Sequence, residues 1–186
     1  MDPLGLCTSN NIINRYNPVM QAGFYGDPLN FVNSNGEGSG FFLIGMTLND
    51  LSNNGWVTRV EYGDEVMASL YDAYYKGNIQ FSTGIEGSGE YNRDTGIITI
   101  NPNKVNIEHL PGVLFHEGIH KAHHDRGDPA WREEEYEAFY TQTAVDFSNG
   151  YLTKIKSKKE IDDQYSHIPK GYDKFRPLSS DSMPSR

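Results

Sequence analysis

Apolar residues along the chain fall into short blocks separated by polar and glycine-rich stretches, and the spacing within each block predicts its secondary structure. Asn, Gly, Ser and Pro dominate the first 56 residues, and residues 33–40 have loop composition. The apolar run 41–46 predicts a buried strand, and 47–51 predicts a short helical turn after it. Residues 56–62 have the composition of a second strand.

A helical repeat follows this region. Apolar residues recur three to four positions apart from Val66 to Tyr74, which predicts a helix over 64–76 with Asp64 as its N-cap. Residues 79–81 then predict a short strand.

The next segment has the pattern of a β-hairpin. Residues 84–89 form a glycine-rich stretch, which lacks the Gly-Lys-Ser/Thr ending of a phosphate-binding loop. Strand-forming residues on both sides of the turn at 92–96 predict paired strands near 88–92 and 97–101. We therefore expect a small sheet in the middle of the chain.

The second half of the chain has the pattern of helices. Residues 108–124 predict one helix. A second is expected to start with Asp128 as N-cap and Pro129 at the first helical position, and to continue to Phe147. One more short helix is expected within 151–165.

Composition limits the classes of protein to consider. The chain has 186 residues, 37% of them hydrophobic, which suits one domain with its own core. Its formal net charge of -9 disfavours a nucleic-acid partner. One cysteine, Cys7, excludes an intrachain disulfide framework and a cysteine-rich zinc site. No apolar run reaches the ~18 residues of a membrane span, and no signal peptide is recognisable.

The strongest chemical signal is the H-E-x-x-H motif formed by His116, Glu117 and His120. Residues four apart on a helix project from one face, so both imidazoles can reach one zinc ion at ~2.0–2.1 Å. Glu117 is then placed to take a proton from the zinc-bound water as that water attacks a carbonyl. We predict a Zn²⁺ site with Glu117 as the catalytic base.

Catalytic zinc needs a third protein ligand. The longer metzincin motif requires a histidine at position 126, where this chain has Arg126. The following helix offers four glutamates: Glu133, Glu134, Glu135 and Glu137. Glu135 and Ala138 resemble the E-x-x-A pattern in which many zincins carry a glutamate ligand. We therefore predict Glu135 as the third ligand, with Glu134 as the alternative.

Four further residues near the motif have open roles. His123 lies on the same helix face as His116, and it could support a ligand, donate to a transition state or simply be solvated, as could His124 beside it. Tyr136 and Tyr140 could each supply a phenol to an oxyanion, although core packing is the commoner role of a tyrosine.

The segment Asp2-Pro3-Leu4-Gly5-Leu6 resembles the D-P-x-G-L motif that ends the core of Rhs-repeat proteins. In that family the motif marks the junction between a large β-cage and a variable C-terminal toxin, which is released there by self-cleavage. The resemblance implies that 1–6 is a junction remnant, with Met1 added as a start. It also implies a secreted chain delivered into a target cell, with the Rhs cage and a cognate immunity protein as partners.

Residues 77–147 resemble, more loosely, the zincin effector and toxin metallopeptidases found at the ends of such proteins. The shared layout is a strand, a glycine-rich stretch, a hairpin, the H-E-x-x-H helix and an E-E-x-x-A helix. The resemblance implies an α+β, zincin-like fold over 7–165, with a small twisted sheet packed on both helices. From composition we expect 166–186, with three prolines and five serines, to form a surface tail, with disorder left open.

The function expected from these signals is zinc-dependent hydrolysis of peptide bonds in a target-cell protein, by a toxin. The strand 97–100 is expected to be an edge that pairs with an extended substrate. The alternative is a non-catalytic effector module that binds and sequesters a host protein. The target protein and the oligomeric state have no signal in the sequence.

Overall fold

The computed structural model describes residues 37–151, 156–171 and 174–178. The junction motif at 2–6 and Cys7 lie outside these residues. The described part of the chain is α+β and contains these elements in order: α1 Glu37–Ser52, α2 Gly63–Tyr75, β1 Ile79–Phe81, β2 Gly89–Asn92, β3 Ile97–Ile100, α3 Leu110–Asp125, α4 Arg132–Ser148 and α5 Lys158–Gln164. None of these helices combines the length and the apolar composition that crossing a bilayer requires.

Helix α1 corrects the prediction of a loop at 33–40 followed by a strand at 41–46. Its buried residues are Leu43, Ile44, Thr47, Leu48 and Leu51, which recur at helical spacing. The apolar run is therefore not buried as a unit, and its first two residues, both phenylalanines, are about half exposed. The core-facing stripe continues beyond the run into the segment predicted as a separate turn.

The prediction of a strand at 56–62 is also wrong, because these residues form consecutive turns. The side chain of Asn54 explains the start of this region. Its Oδ1 accepts hydrogen bonds from the backbone N–H groups of Trp56 and Val57, at 2.9 and 3.1 Å. A side chain that bonds to nearby backbone in this way competes with a β-ladder. The adjacent helix α2 confirms the prediction for 64–76, although its N-cap is Tyr62 rather than Asp64.

The sheet has three strands in the order β1-β3-β2. Strand β1 is parallel to β3, and β2 is antiparallel to β3 in the predicted hairpin. Strand β3 therefore has a partner on each side, so the expectation that 97–100 is an edge open to a substrate is wrong. The edges of this sheet are β1 and β2.

Helix α3 lies at the centre of the fold, between α2, α4 and the sheet. Nearly every residue from Leu110 to Ala122 is buried, so the helix is covered on all sides rather than amphipathic. Gly118 allows a close approach of α2, since a Cβ there would lie 2.8 Å from Leu70 Cγ and 2.9 Å from Val66 Cγ1. This packing fixes the position of the helix that carries the H-E-x-x-H motif.

Helix α4 begins three residues later than predicted, with Trp131 rather than Asp128 as its N-cap. The carboxylate of Asp128 instead makes tertiary contacts, at 3.2 Å from His123 Nδ1 and 2.9 Å from Arg176. Helix α5 confirms the prediction of a short helix within 151–165, and Ser157 caps it through a capping box with Glu160.

The described residues beyond 165 pack against the helices. Phe175 and Leu178 are both buried, with 7% and 8% of their surface exposed. The backbone N–H of Leu178 donates to Glu137 Oε1 at 2.9 Å. The segment predicted as a surface tail therefore contributes, in 174–178, apolar contacts to the domain.

Candidate metal centre

Three side chains converge where α3 meets α4. His116 and His120 lie one turn apart on α3, and their Nε2 atoms are 3.2 Å apart. Glu135 of α4 places Oε2 3.8 Å from His116 Nε2 and Oε1 3.6 Å from His120 Nε2. One ligand atom from each of the three residues lies within 4.8 Å of the others. Two imidazole nitrogens and a carboxylate oxygen are a common catalytic zinc donor set.

The burial of Glu135 and His116 fits a role as ligands of a metal ion. Burial raises the pKa of Glu135, and its Oε2 has no hydrogen-bond partner among the described residues. Burial and the neighbouring His120 lower the pKa of His116 well below its usual value. A buried carboxylate that faces two imidazole nitrogens, with one of its oxygens left without a hydrogen-bond partner, is a donor set that a metal ion would satisfy.

Glu117 lies beside the three candidate ligands but is not one of them. It is 4% exposed and lines the same cavity as His116. Burial raises the pKa of Glu117 to about 8, and repulsion from Glu135 adds to this, while His120 and the backbone N–H of Tyr91 oppose it. A carboxyl group with a pKa near neutrality is suited to take up and release a proton.

Glu134, the alternative third ligand, has a different position. Its Oε1 lies 2.6 Å from Nδ1 of His120, on the side of the ring that faces away from the convergence point. Arg93 of the hairpin donates to both of its oxygens, at 2.8 and 2.7 Å. Burial lowers the pKa of His120, but Glu135 and Glu134 outweigh burial and raise it to about 10. Glu134 therefore orients His120 and fixes which nitrogen faces the site.

The residues with open roles lie away from the convergence point. His123 is fully buried between Asp128 and Glu137, with Nε2 2.8 Å from Glu137 Oε2. His124 contacts the hydroxyl of Tyr91 at 2.6 Å.

Tyr136 and Tyr140, whose roles the sequence left open between core packing and an oxyanion donor, do not line the cavity. The hydroxyl of Tyr136 donates to Asp162 at 2.5 Å, and Tyr140 is 55% exposed. A different tyrosine, Tyr165 at the end of α5, lines the cavity together with His116 and Glu117. Burial and the negative charges of Glu135 and Glu117 raise its pKa. Nothing in the sequence pattern marks Tyr165, since it lies 45 positions beyond His120 in a segment without a motif.

The cavity beside the candidate ligands has a volume of about 300 Å³. One wall is the glycine-rich segment 87–89, and the others come from α3, α4 and α5. Gly89 allows the close approach of β2 to α3, since a Cβ there would lie 2.6 Å from Glu117 Oε1. The remaining lining residues are His109, Val113, Phe139, Gln142, Thr143, Lys156 and Gln164.

Comparisons of the chain with known protein families, with curated proteins and with solved structures found no significant match. The interpretation of the site therefore depends on its residues and their geometry.

Proposed function

We propose that this chain is a zinc-dependent peptidase with a zincin-like fold. The observation that carries the proposal is the convergence of His116, His120 and Glu135, with Glu117 buried beside them in a cavity. The arrangement of a small sheet, the H-E-x-x-H helix and a second, glutamate-bearing helix supports the zincin-like assignment.

In this proposal the metal supplies Lewis-acid activation of a water molecule and of the substrate carbonyl. Glu117 takes the proton of the attacking water and passes it to the amine that leaves when the peptide C–N bond breaks. Glu117 lines the cavity together with His116, which gives a bound substrate access to its carboxyl group. Glu134 and Arg93 hold His120 in the ligating orientation.

Tyr165 is the residue that we assign to the oxyanion. Its phenol lines the cavity together with His116 and Glu117, and burial raises its pKa further above neutrality. A protonated phenol can donate a hydrogen bond to the oxygen on which negative charge develops. Tyr165 replaces Tyr136 and Tyr140 in this role.

The substrate would pair with β2 rather than with β3. Within the part of the chain that the structure describes, β2 pairs with β3 alone. Strand β2 also lies against the site, since the backbone N–H of Tyr91 stabilises the charge of Glu117. An extended peptide added to that edge would run past the candidate metal ligands.

We further propose that the peptidase is a bacterial toxin, released from an Rhs protein at the motif 2–6 and delivered into a target cell. The support for this is the D-P-L-G-L segment alone. In this proposal the Rhs cage and a cognate immunity protein are partners of the chain, and a target-cell protein is the substrate.

Replacing Glu117 by Gln separates the peptidase from a module that only sequesters a host protein. Gln is isosteric and leaves the three candidate ligands intact, but it cannot accept a proton, and the loss of general acid–base help costs roughly 10²–10⁴-fold in rate. The experiment expresses wild type and Glu117→Gln in susceptible cells, and it compares zinc content, thermal melting, toxicity and new protein N-termini.

The peptidase proposal expects Glu117→Gln to be folded and zinc-loaded, harmless, and without new N-termini in the cell. His116→Ala serves as the control that loses the metal as well. Full toxicity of folded, zinc-loaded Glu117→Gln would refute the peptidase proposal in favour of sequestration.

A further inference from the structure

Lys156 is the one lysine among the described residues that line the cavity. Its Nζ donates to Gln164 Oε1 at 2.8 Å and lies 4.0 Å from the centre of the Phe139 ring. The same ring also packs on His116, with ring centres 4.5 Å apart. The ammonium group and a candidate metal ligand therefore contact one shared aromatic side chain.

The charge of Lys156 is not matched by an ion pair within the described part of the chain. Other partly buried cations there do have carboxylate partners: Lys121 pairs with Asp72 and Asp125, and Arg93 pairs with Glu134. Burial lowers the pKa of Lys156, which indicates that the position costs the ammonium part of its hydration. Glu135 and Glu160 attract it over a longer distance. The carboxylate of Glu135 faces the two histidines, and that of Glu160 accepts hydrogen bonds from Ser157.

We propose that Lys156 makes the cavity selective for a substrate carboxylate close to the scissile bond, an inference that rests on the proposed peptidase activity. The ammonium group of Lys156 has three N–H donors and gives one of them to Gln164, so it can still donate to an anionic oxygen ligand in the cavity. The carboxylate is either an acidic side chain or the free C-terminus of a peptide.

The overall charge of the chain makes this local cation important. A net charge of -9 repels an acidic peptide at a distance. Within roughly 8 Å, the Debye length at physiological ionic strength, the nearest groups dominate instead. A favourable contact at Lys156 therefore selects peptides only once they are in the cavity, and it affects binding at the site rather than the encounter rate.

Cleavage of two random peptide libraries tests the proposal and separates the two sources of carboxylate. One library has free C-termini and the other has amidated C-termini, and products are sequenced by mass spectrometry after treatment with zinc-loaded protein. Selection of a side chain gives enrichment of Asp and Glu over Asn and Gln, at one position beside the cut, in both libraries. Selection of the C-terminus gives cleavage near the chain end in the free library alone.

The variants assign the selectivity to one residue. Lys156→Met keeps the aliphatic packing on Phe139, and we expect it to lose the acidic preference by about 10-fold. Lys156→Arg keeps a positive charge and should retain the preference. Lys159→Met is the matched control, since Lys159 is largely exposed, pairs with Asp163 and does not line the cavity. Equal preferences in wild type and Lys156→Met would overturn the proposal.

A binding measurement distinguishes failure of this inference from failure of the peptidase proposal. Dipeptide hydroxamates that carry either Glu or Gln are titrated into zinc-loaded protein by calorimetry. We expect the Glu compound to bind wild type about 10-fold more tightly than the Gln compound, and both to bind Lys156→Met equally. Absence of cleavage together with this Lys156-dependent difference would refute the peptidase and keep the carboxylate site. Equal affinity of both compounds for wild type would refute the carboxylate site.

Discussion

Two neighbouring glutamates show how the position of each residue on a helix decides its chemistry. Successive residues on an α-helix point about 100° apart, so Glu134 and Glu135 approach His120 from different sides. Glu135 faces the Nε2 atoms, whereas Glu134 reaches Nδ1 of His120 at 2.6 Å. The sequence pattern favoured Glu135 but did not indicate that Glu134 contacts the same histidine.

These positions predict graded effects on zinc affinity. Glu135→Ala removes a candidate ligand and should abolish tight zinc binding. Glu134→Ala removes the partner of His120 Nδ1 and should weaken affinity by roughly 10–100-fold. Glu133→Ala should leave affinity unchanged, since Glu133 Oε2 accepts from the backbone N–H of Gly171. Zinc competition with a fluorescent chelator measures all three, and retained affinity in Glu135→Ala would contradict the ligand assignment.

At the scale of secondary structure, the sequence predicts best the elements whose pattern matches one local rule. Helix α2 and the β2–β3 hairpin follow from periodicity and turn residues, and the H-E-x-x-H spacing located α3 and its motif. Helix α1 was missed because a six-residue apolar run looks the same in a buried strand and in a helix. The start of α4 was missed because Asp128, a good local cap, bonds to His123 of α3 and to Arg176 instead.

Only those residues of the site that belong to a recognisable helix motif could be predicted from the sequence. His116, Glu117 and His120 follow from one short motif, and Glu135 from a pattern on the next helix. Tyr165 and Lys156 line the cavity where α5 packs against α4, a tertiary arrangement with no local signal. The prediction that β3 is an edge strand was wrong for the same reason, because the order of strands in a sheet depends on non-local pairing.

The close contact between α2 and α3 predicts the effect of Gly118→Ala. Replacing glycine by alanine in a helix normally stabilises it by roughly 0.5–1 kcal/mol. The added methyl at this position would lie 2.8–3.0 Å from Leu70 and Val66, and overpacking of this kind costs typically ~1–3 kcal/mol. We expect a net loss of about 1–2 kcal/mol in the free energy of unfolding, measured by urea denaturation.

Gly84→Ala is the control for that substitution, because its new Cβ would have one contact, at 3.4 Å from Ser82 Oγ. We expect its unfolding midpoint to match wild type. A Gly118→Ala protein more stable than wild type would show that the two helices do not pack as closely as described.

Helix α5 is tied to α4 through Asp162, which predicts a pH dependence. Its carboxylate accepts from the Tyr136 hydroxyl and pairs with Arg132 and Lys170, each at 3.2 Å. The Tyr136 hydrogen bond, together with the two cations, lowers the pKa of Asp162 to about 2. Because the folded-state pKa is below the unfolded value of roughly 3.9, the contribution to stability is complete above pH ~4 and disappears as the pH falls through about 2.

Asp162→Asn should therefore be less stable than wild type at pH 7, by about 1 kcal/mol given partial exposure of the carboxylate. The difference between the two proteins should shrink between pH 4 and pH 2. Melting curves across this range test the prediction, and a difference that stays constant with pH would show that Asp162 stabilises the fold without its charge.

At the scale of the whole molecule, the candidate metal centre joins two central helices. His116 and His120 belong to α3 and Glu135 belongs to α4, and the carboxylate oxygens of Glu135 lie 3.8 and 3.6 Å from the Nε2 atoms of the two histidines. A zinc ion that links them would bind the folded chain and not the unfolded one. Zinc binding and global stability should therefore be coupled.

This coupling predicts that zinc raises the melting temperature and that a chelator reverses the change. Free zinc at about 1,000 times its dissociation constant stabilises a protein by ~4 kcal/mol. For a chain of this size each kcal/mol shifts the midpoint by roughly 2–4 °C, so we expect a rise of about 10 °C, with one zinc per chain by elemental analysis. His116→Ala should show no such rise at the same zinc concentration, because it leaves one histidine and one carboxylate. An equal rise in wild type and His116→Ala would place the stabilising zinc elsewhere on the protein, and absence of a rise in wild type would contradict the proposed metal centre.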